Sequence, residues 1–166
     1  MKKIFTLCVV ALMAVTMSAK PYQHSIGMVA GSGIGVQYKT MLMDHFTLMD
    51  EFGYLGCYAA AGKGWTMGYM GAVDQLVLAY QNHAVEGQGI SLDYYVGGQL
   101  KGGYINVGAD AGVFGVGAAA GIEANMQNAP IAFSFDFRPG YGGIFAGGGS
   151  IHGFDWTFNL GVRYTF

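Results

Sequence analysis

The chain ends in Asn159-Leu160-Gly161-Val162-Arg163-Tyr164-Thr165-Phe166, an octapeptide in which polar or small residues alternate with apolar ones up to an aromatic last residue. A period of two is that of a β-strand, whose successive side chains point to opposite faces. Extended upstream, the pattern sets Trp156, Phe158, Leu160, Val162, Tyr164 and Phe166 against Thr157, Asn159, Gly161, Arg163 and Thr165. One face is greasy and the other polar, so the strand needs a different environment on each side. Which environment lies on which side decides the fold.

Seven more segments repeat the alternation. Ile131 to Pro139 sets Ile131, Phe133, Phe135 and Phe137 against Ala132, Ser134, Asp136 and Arg138. Gly33 to Leu42 sets Ile34, Val36, Tyr38 and Leu42 against Gly35, Gln37, Lys39 and Met41. Ile90 to Lys101 sets Leu92, Tyr94, Val96 and Leu100 against Asp93, Tyr95, Gly97, Gln99 and Lys101. Val113 to Ala124, Val73 to Gln81 and His24 to Gly31 carry weaker copies. Phe46 to Leu55 places Leu48, Phe52 and Tyr54 opposite Met49, Glu51 and Gly53, but leaves Asp50 on the apolar parity. Eight strands are therefore expected.

The chain is 52% hydrophobic with 29 glycines among 166 residues, yet no apolar run after residue 19 is long enough for a spanning helix. A closed β-barrel is the other structure that satisfies every backbone N–H and C=O inside hydrocarbon. A soluble barrel would also alternate, but with apolar residues inside. Here Lys39, Glu51, Asp93, Lys101, Glu123, Asp136, Arg138 and Arg163 share one parity, as four acids and four bases. Turned inward they can pair across a narrow lumen, and the greasy parity then faces lipid. Gly35, Gly53, Gly97, Gly115, Gly117, Gly121 and Gly161 on the inner parity leave room, because an eight-stranded interior is barely wide enough for its own side chains. The expected fold is all-β, an eight-stranded antiparallel transmembrane up-and-down β-barrel. Met43-Asp44-His45 and Asn125 to Pro130 read as short turns at the end bearing the termini, with Asn82 to Gly89 long for such a turn. Gly56 to Ala72, Gly102 to Gly112 and Gly142 to Asp155 read as longer connections at the other end.

The amino terminus points to export. Lys2 and Lys3 precede a charge-free, mostly apolar stretch from Ile4 to Met17, and Ser18-Ala19 supplies small residues for cleavage, so residues 1–19 read as a signal peptide and 20–166 as the barrel domain. Without residues 1–19 the chain keeps six basic and ten acidic residues, a formal charge of minus four, and no basic patch argues for nucleic acid. Cys57 is then the remaining cysteine, so the fold closes by backbone pairing rather than an internal disulfide.

On these residues the chain resembles the small eight-stranded outer-membrane β-barrels of Gram-negative bacteria, of the OmpA membrane-domain and OmpX type. Asn159, Gly161, Tyr164 and Phe166 match that group's terminal assembly signal at its four defined positions. The resemblance, over residues 24 to 166, implies residence in the outer membrane, contact with its lipid, and recognition of the last strand by the barrel-assembly machinery. It implies no ligand, since members of this architecture differ in activity.

No residue pattern argues for catalysis. Lipid A deacylases of similar size place His and Ser one residue apart on a strand, and no His-x-Ser occurs here. Ser134 and Asp136 share a face, but Arg138 follows and would hold Asp136 as an ion-pair partner. His24, His45, His83 and His152 lie in four segments with no metal-ligand spacing, and neither a metal nor a cofactor is expected. His152 with Asp155 in the last outer loop is a weak binding candidate. Trp65, Met67, Tyr69 and Met70 in the longest connection are another, and would present a surface ligand site of unknown partner. Tyr38, Tyr80, Tyr94, Tyr141, Trp156 and Tyr164 read as interfacial girdles. The expectation is a non-enzymatic barrel with a polar, filled interior and a structural or surface-interaction role. A small-solute or ion channel and a lipid-modifying barrel enzyme are the alternatives.

Overall fold

The computed structural model describes residues 22–31, 33–60, 65–106 and 109–166, and among these the side chains of all except 54–60 and 65–70. The expected signal peptide, residues 1–19, lies outside the described residues. Eight strands follow one another: β1 (His24–Ala30), β2 (Gly33–Met43), β3 (Phe46–Ala60), β4 (Trp65–Glu86), β5 (Ile90–Asn106), β6 (Asp110–Met126), β7 (Ile131–Ala146) and β8 (Gly149–Thr165). Each pairs antiparallel with the next, and β1 pairs with β8, from Ser25 opposite Thr165 to Ala30 opposite Leu160. The ring is closed, as the alternation predicts.

The side-chain parity follows the sequence reading. Phe158, Leu160, Val162 and Tyr164 stand on the outside, each more than half exposed, while Asn159, Gly161 and Arg163 point in and are buried. Asp50 is outward, and the strand absorbs it without changing register until an irregularity between Gly53 and Leu55. The same outward character continues around the ring through Ile26, Met28, Val36, Leu78, Val96, Val116, Ile122 and Phe135. Exposed apolar surface that encircles a closed wall cannot be covered by the chain itself, and it matches what hydrocarbon would cover. The aromatics form two levels. Tyr38, Tyr80, Tyr94 and Tyr164 lie towards the end carrying the termini, whereas Tyr104, Tyr141 and Trp156 lie towards the far end.

Two expectations change. Gly56 to Ala72, Gly102 to Gly112 and Gly142 to Asp155 were expected as connections, yet most of each is strand: β3 runs to Ala60, β4 starts at Trp65, β5 runs to Asn106 and β8 starts at Gly149. A ladder already in register gains further hydrogen bonds with each added residue, and this outweighs the weak strand propensity of glycine. At the other end Asn82 to Glu86 belongs to β4, leaving only Gly87 to Gly89 as the turn, with Gly89 at a φ of 82° that favours glycine. The interior also differs from a uniformly polar lumen. Towards the far end Val73, Ile105, Ala111, Val113 and Ile144 point inward and pack as an apolar layer.

Candidate functional site

The inner face of the wall supplies the densest chemistry. Because inward positions recur every second residue on eight converging strands, side chains distant in sequence meet in layers across the lumen. Nearest the termini, the Asp93 carboxylate on β5 accepts from Gln81 at 2.9 Å and from Asn125 at 3.1 Å, and lies 3.0 Å from His83 Nδ1.

The next layer centres on Glu123 of β6, fully buried. It pairs with Lys39 at 2.8 Å and with Arg163, and accepts a hydrogen bond from the Tyr22 hydroxyl. Tyr22 precedes β1, so it enters the lumen from the end of the barrel rather than from the wall, and its hydroxyl also accepts from Lys39 at 3.1 Å. The Lys39 ammonium lies 5.6 Å from the Tyr22 ring centre and 5.7 Å from that of Tyr95, within range of cation–π attraction. Arg163 also donates to Gln37 and to Ser134 Oγ.

Above this, Arg138 bridges two carboxylates. Its Nη1 lies 2.9 Å from Glu51 and its Nε 2.8 Å from Asp136. Asp136 further accepts from the Tyr95 hydroxyl at 2.8 Å and from Asn159 at 2.9 Å, while Glu51 accepts from Gln37 and Gln75. Gly121 makes this layer possible. A Cβ there would lie 2.5 Å from the Tyr95 ring and 2.7 Å from Asp136 Cβ. Lys101 pairs with Asp155 between this layer and the apolar one.

All eight charged residues expected to face inward are buried there. Each buried ion carries a desolvation penalty of several kcal/mol, which close pairing and further hydrogen bonds must offset. The layers supply ion-pair partners to these charges. Sequence reasoning missed Tyr22, which no periodicity flags, and Asp155, which it placed in an outer loop with His152. Asp155 is instead an inward residue of β8, on the parity of Thr157 and Asn159, and extending that parity by one step finds it.

The remaining candidates do not converge on a reactive centre. Ser134 is held by Arg163 and Asp136 by three donors, so neither is presented to a substrate. His152 contacts Ser150 at the exposed β7–β8 tip, His45 the Gln81 carbonyl, and His24 both Tyr38 and Thr40. Among the described residues no group of three or more His, Cys, Asp or Glu side chains is placed to hold a metal. Trp65, Met67, Tyr69 and Met70 belong to β4 rather than to a loop, and their side chains lie outside the described residues. Of the terminal motif, Asn159 and Gly161 face the lumen while Tyr164 and Phe166 face outward, and Phe166 exchanges main-chain hydrogen bonds with His24. On the outer wall Asp50 and Asp74 stand close to one another.

No family model matches the chain, and no curated protein matches it. Among solved structures it is similar to a major outer membrane protein from Thermus thermophilus, with 13% identity and a TM-score of 0.52 over 89% of this chain and all of that one. Neisserial surface protein A (10% identity, TM-score 0.41) and Ail, the attachment invasion locus protein of Yersinia pestis (13%, 0.33), each align over 86% of this chain and 93% of their own. At 13% identity the likeness to the Thermus protein shows the fold alone.

Proposed function

We propose that the chain is an integral outer-membrane β-barrel, exported by a cleaved signal peptide at residues 1–19, with a side-chain-filled interior and a structural or surface-interaction role. One observation carries the reading: the closed wall is apolar outside over about the height of a bilayer core, while the charges inside are mutually paired. From Ile131 to Tyr141 the outward row of β7 rises about 33 Å along the strand, or roughly 23 Å at a tilt near 45°, close to the apolar band of such barrels. Lipid is thus the implied partner of the outer face. The terminal Asn159, Gly161, Tyr164 and Phe166 support recognition of β8 by the barrel-assembly machinery, on the resemblance alone.

The test is fractionation of cells making the full chain. The protein is expected in the outer-membrane fraction, resistant to alkaline extraction, lacking residues 1–19 by mass and showing β-type circular dichroism. Recovery in the soluble fraction, or an uncleaved helical species, would overturn the reading.

A further inference from the structure

At the end of the barrel that carries the termini, the bore opens into a pocket of about 380 Å³, at the small end of the range for ligand sites. Tyr22 and Asn125 are its buried members, and Gln127 and Pro130 of the β6–β7 connection and Thr165 of β8 stand around them. None of its lining side chains is charged.

Asn125 is 5% exposed and donates from Nδ2 to the Asp93 carboxylate at 3.1 Å. A carboxylate accepts and does not donate, so the amide meets it with N–H and its Oδ1 must turn away. That oxygen is buried without a hydrogen-bond partner. Gln127, the next position on the same parity, is held alike: its Nε2 donates to Glu86 at 2.9 Å, which leaves Oε1 as its accepting end. An amide that donates to an anion becomes a stronger acceptor through its oxygen. The two residues lie on one face about 6.6 Å apart at Cα, close enough for both oxygens to reach one nitrogen. The charges behind them are negative. Of the nearby cations, Lys39 and Arg163 are paired with Glu123 in the next layer, and His83 meets Asp93 on its other oxygen.

Acceptors backed by carboxylates call for a donor that carries positive charge. A primary ammonium brings three N–H donors and no acceptor, whereas a hydroxyl brings one donor and no charge, and a quaternary ammonium brings no donor. We propose that this pocket is a primary-ammonium site, in which Asn125 Oδ1 and Gln127 Oε1 each accept one N–H of a group that enters from the open end. Two sources carry that group. One is a small amine from the surrounding solution. The other is the chain's own amino terminus: with residues 1–19 removed, Lys20 stands two residues before Tyr22, a tether of at most about 7 Å to a residue that lines the pocket. The second source rests on cleavage after Ala19; the site itself does not.

The test uses the protein purified in detergent micelles from cells expressing the full chain. The side-chain amide NMR signals of Asn125 and Gln127 are the readout, and butylammonium is the probe. A blocked form combines Lys20→Gln with acetylation of the α-amino group at pH 6.5, where lysines stay protonated and unreactive. In the blocked form butylammonium is expected to shift both signals saturably, while butanol and tetramethylammonium leave them in place. Gln127→Leu, at an exposed position, should weaken that binding at least tenfold. Binding of equal strength to the unblocked chain assigns the site to free amines; binding that is weaker or absent before blocking assigns it to the chain's own terminus. Intact mass reports where the chain begins, and a start other than Lys20 counts against the cleavage alone. No saturable shift in the blocked form, equal shifts with butanol, or undiminished affinity in Gln127→Leu would overturn the proposal.

Discussion

Arg138 shows how closely single residues are tied in this lumen. It is the one cation that the bridges place between Glu51 and Asp136, and all three are buried. Arg138→Ala leaves two carboxylates facing each other without their countercharge, and removing one partner of a buried ion pair costs about 3–5 kcal/mol. The urea midpoint of the refolded barrel in phospholipid vesicles should fall accordingly, and an unchanged midpoint would mean that the bridge is not made. Gly121 tests the same layer sterically. Gly121→Ala drives a methyl group into the Tyr95 ring, and overpacking of this kind costs about 1–3 kcal/mol. Tyr95→Leu should recover much of that loss, so a double-mutant cycle is expected to be strongly non-additive. A third residue acts on the opposite face. Asp74 and Asp50 stand among outward Leu76, Phe52 and Leu100, where a carboxylate gains little from lipid. Asp74→Leu should raise the same urea midpoint, by up to about 2 kcal/mol; a lowered midpoint would show that the pair serves a partner rather than facing hydrocarbon.

At the scale of elements, the sequence carried the strands but not their lengths. Alternation located all eight segments because an apolar outer face and paired charge on the inner one leave a strong period of two. It lost the segments where that contrast fades: Gly102 and Gly103 on β5, Gly112 on β6 and Gly142 and Gly143 on β7 are strand because their neighbours are, not because their own side chains demand it. The apolar layer of Val73, Ile105, Ala111, Val113 and Ile144 was hidden for a related reason. With valine or isoleucine on the inner parity and apolar residues outside, no alternation of polarity is left to read. The pairing of the interior charges was out of reach as well, since β6 meets β2 and β8 across the lumen only once register and closure are set. Lys39 reaching Glu123 is a property of the ring rather than of either strand.

For the molecule as a whole, the filled bore sets an expectation about transport. Three layers of buried ion pairs and hydrogen bonds, followed by an apolar layer, stack across the bore, and apolar constrictions exclude water. Planar-bilayer recordings of the purified barrel should stay at lipid background, and should do so for Tyr22→Ala too, because the layers above Tyr22 remain. Discrete conductance steps in the wild type would contradict the filled interior. The seam between β1 and β8 has a consequence in time. Synthesis makes β1 first and β8 last, and each completes the other. Until Arg163 arrives, Glu123 lacks one of its two cations and both ends of the sheet lie open. No shortened chain that stops before β8 holds a sealed wall, so the closed ring and the full set of partners around Glu123 are completed together, when β8 pairs with β1.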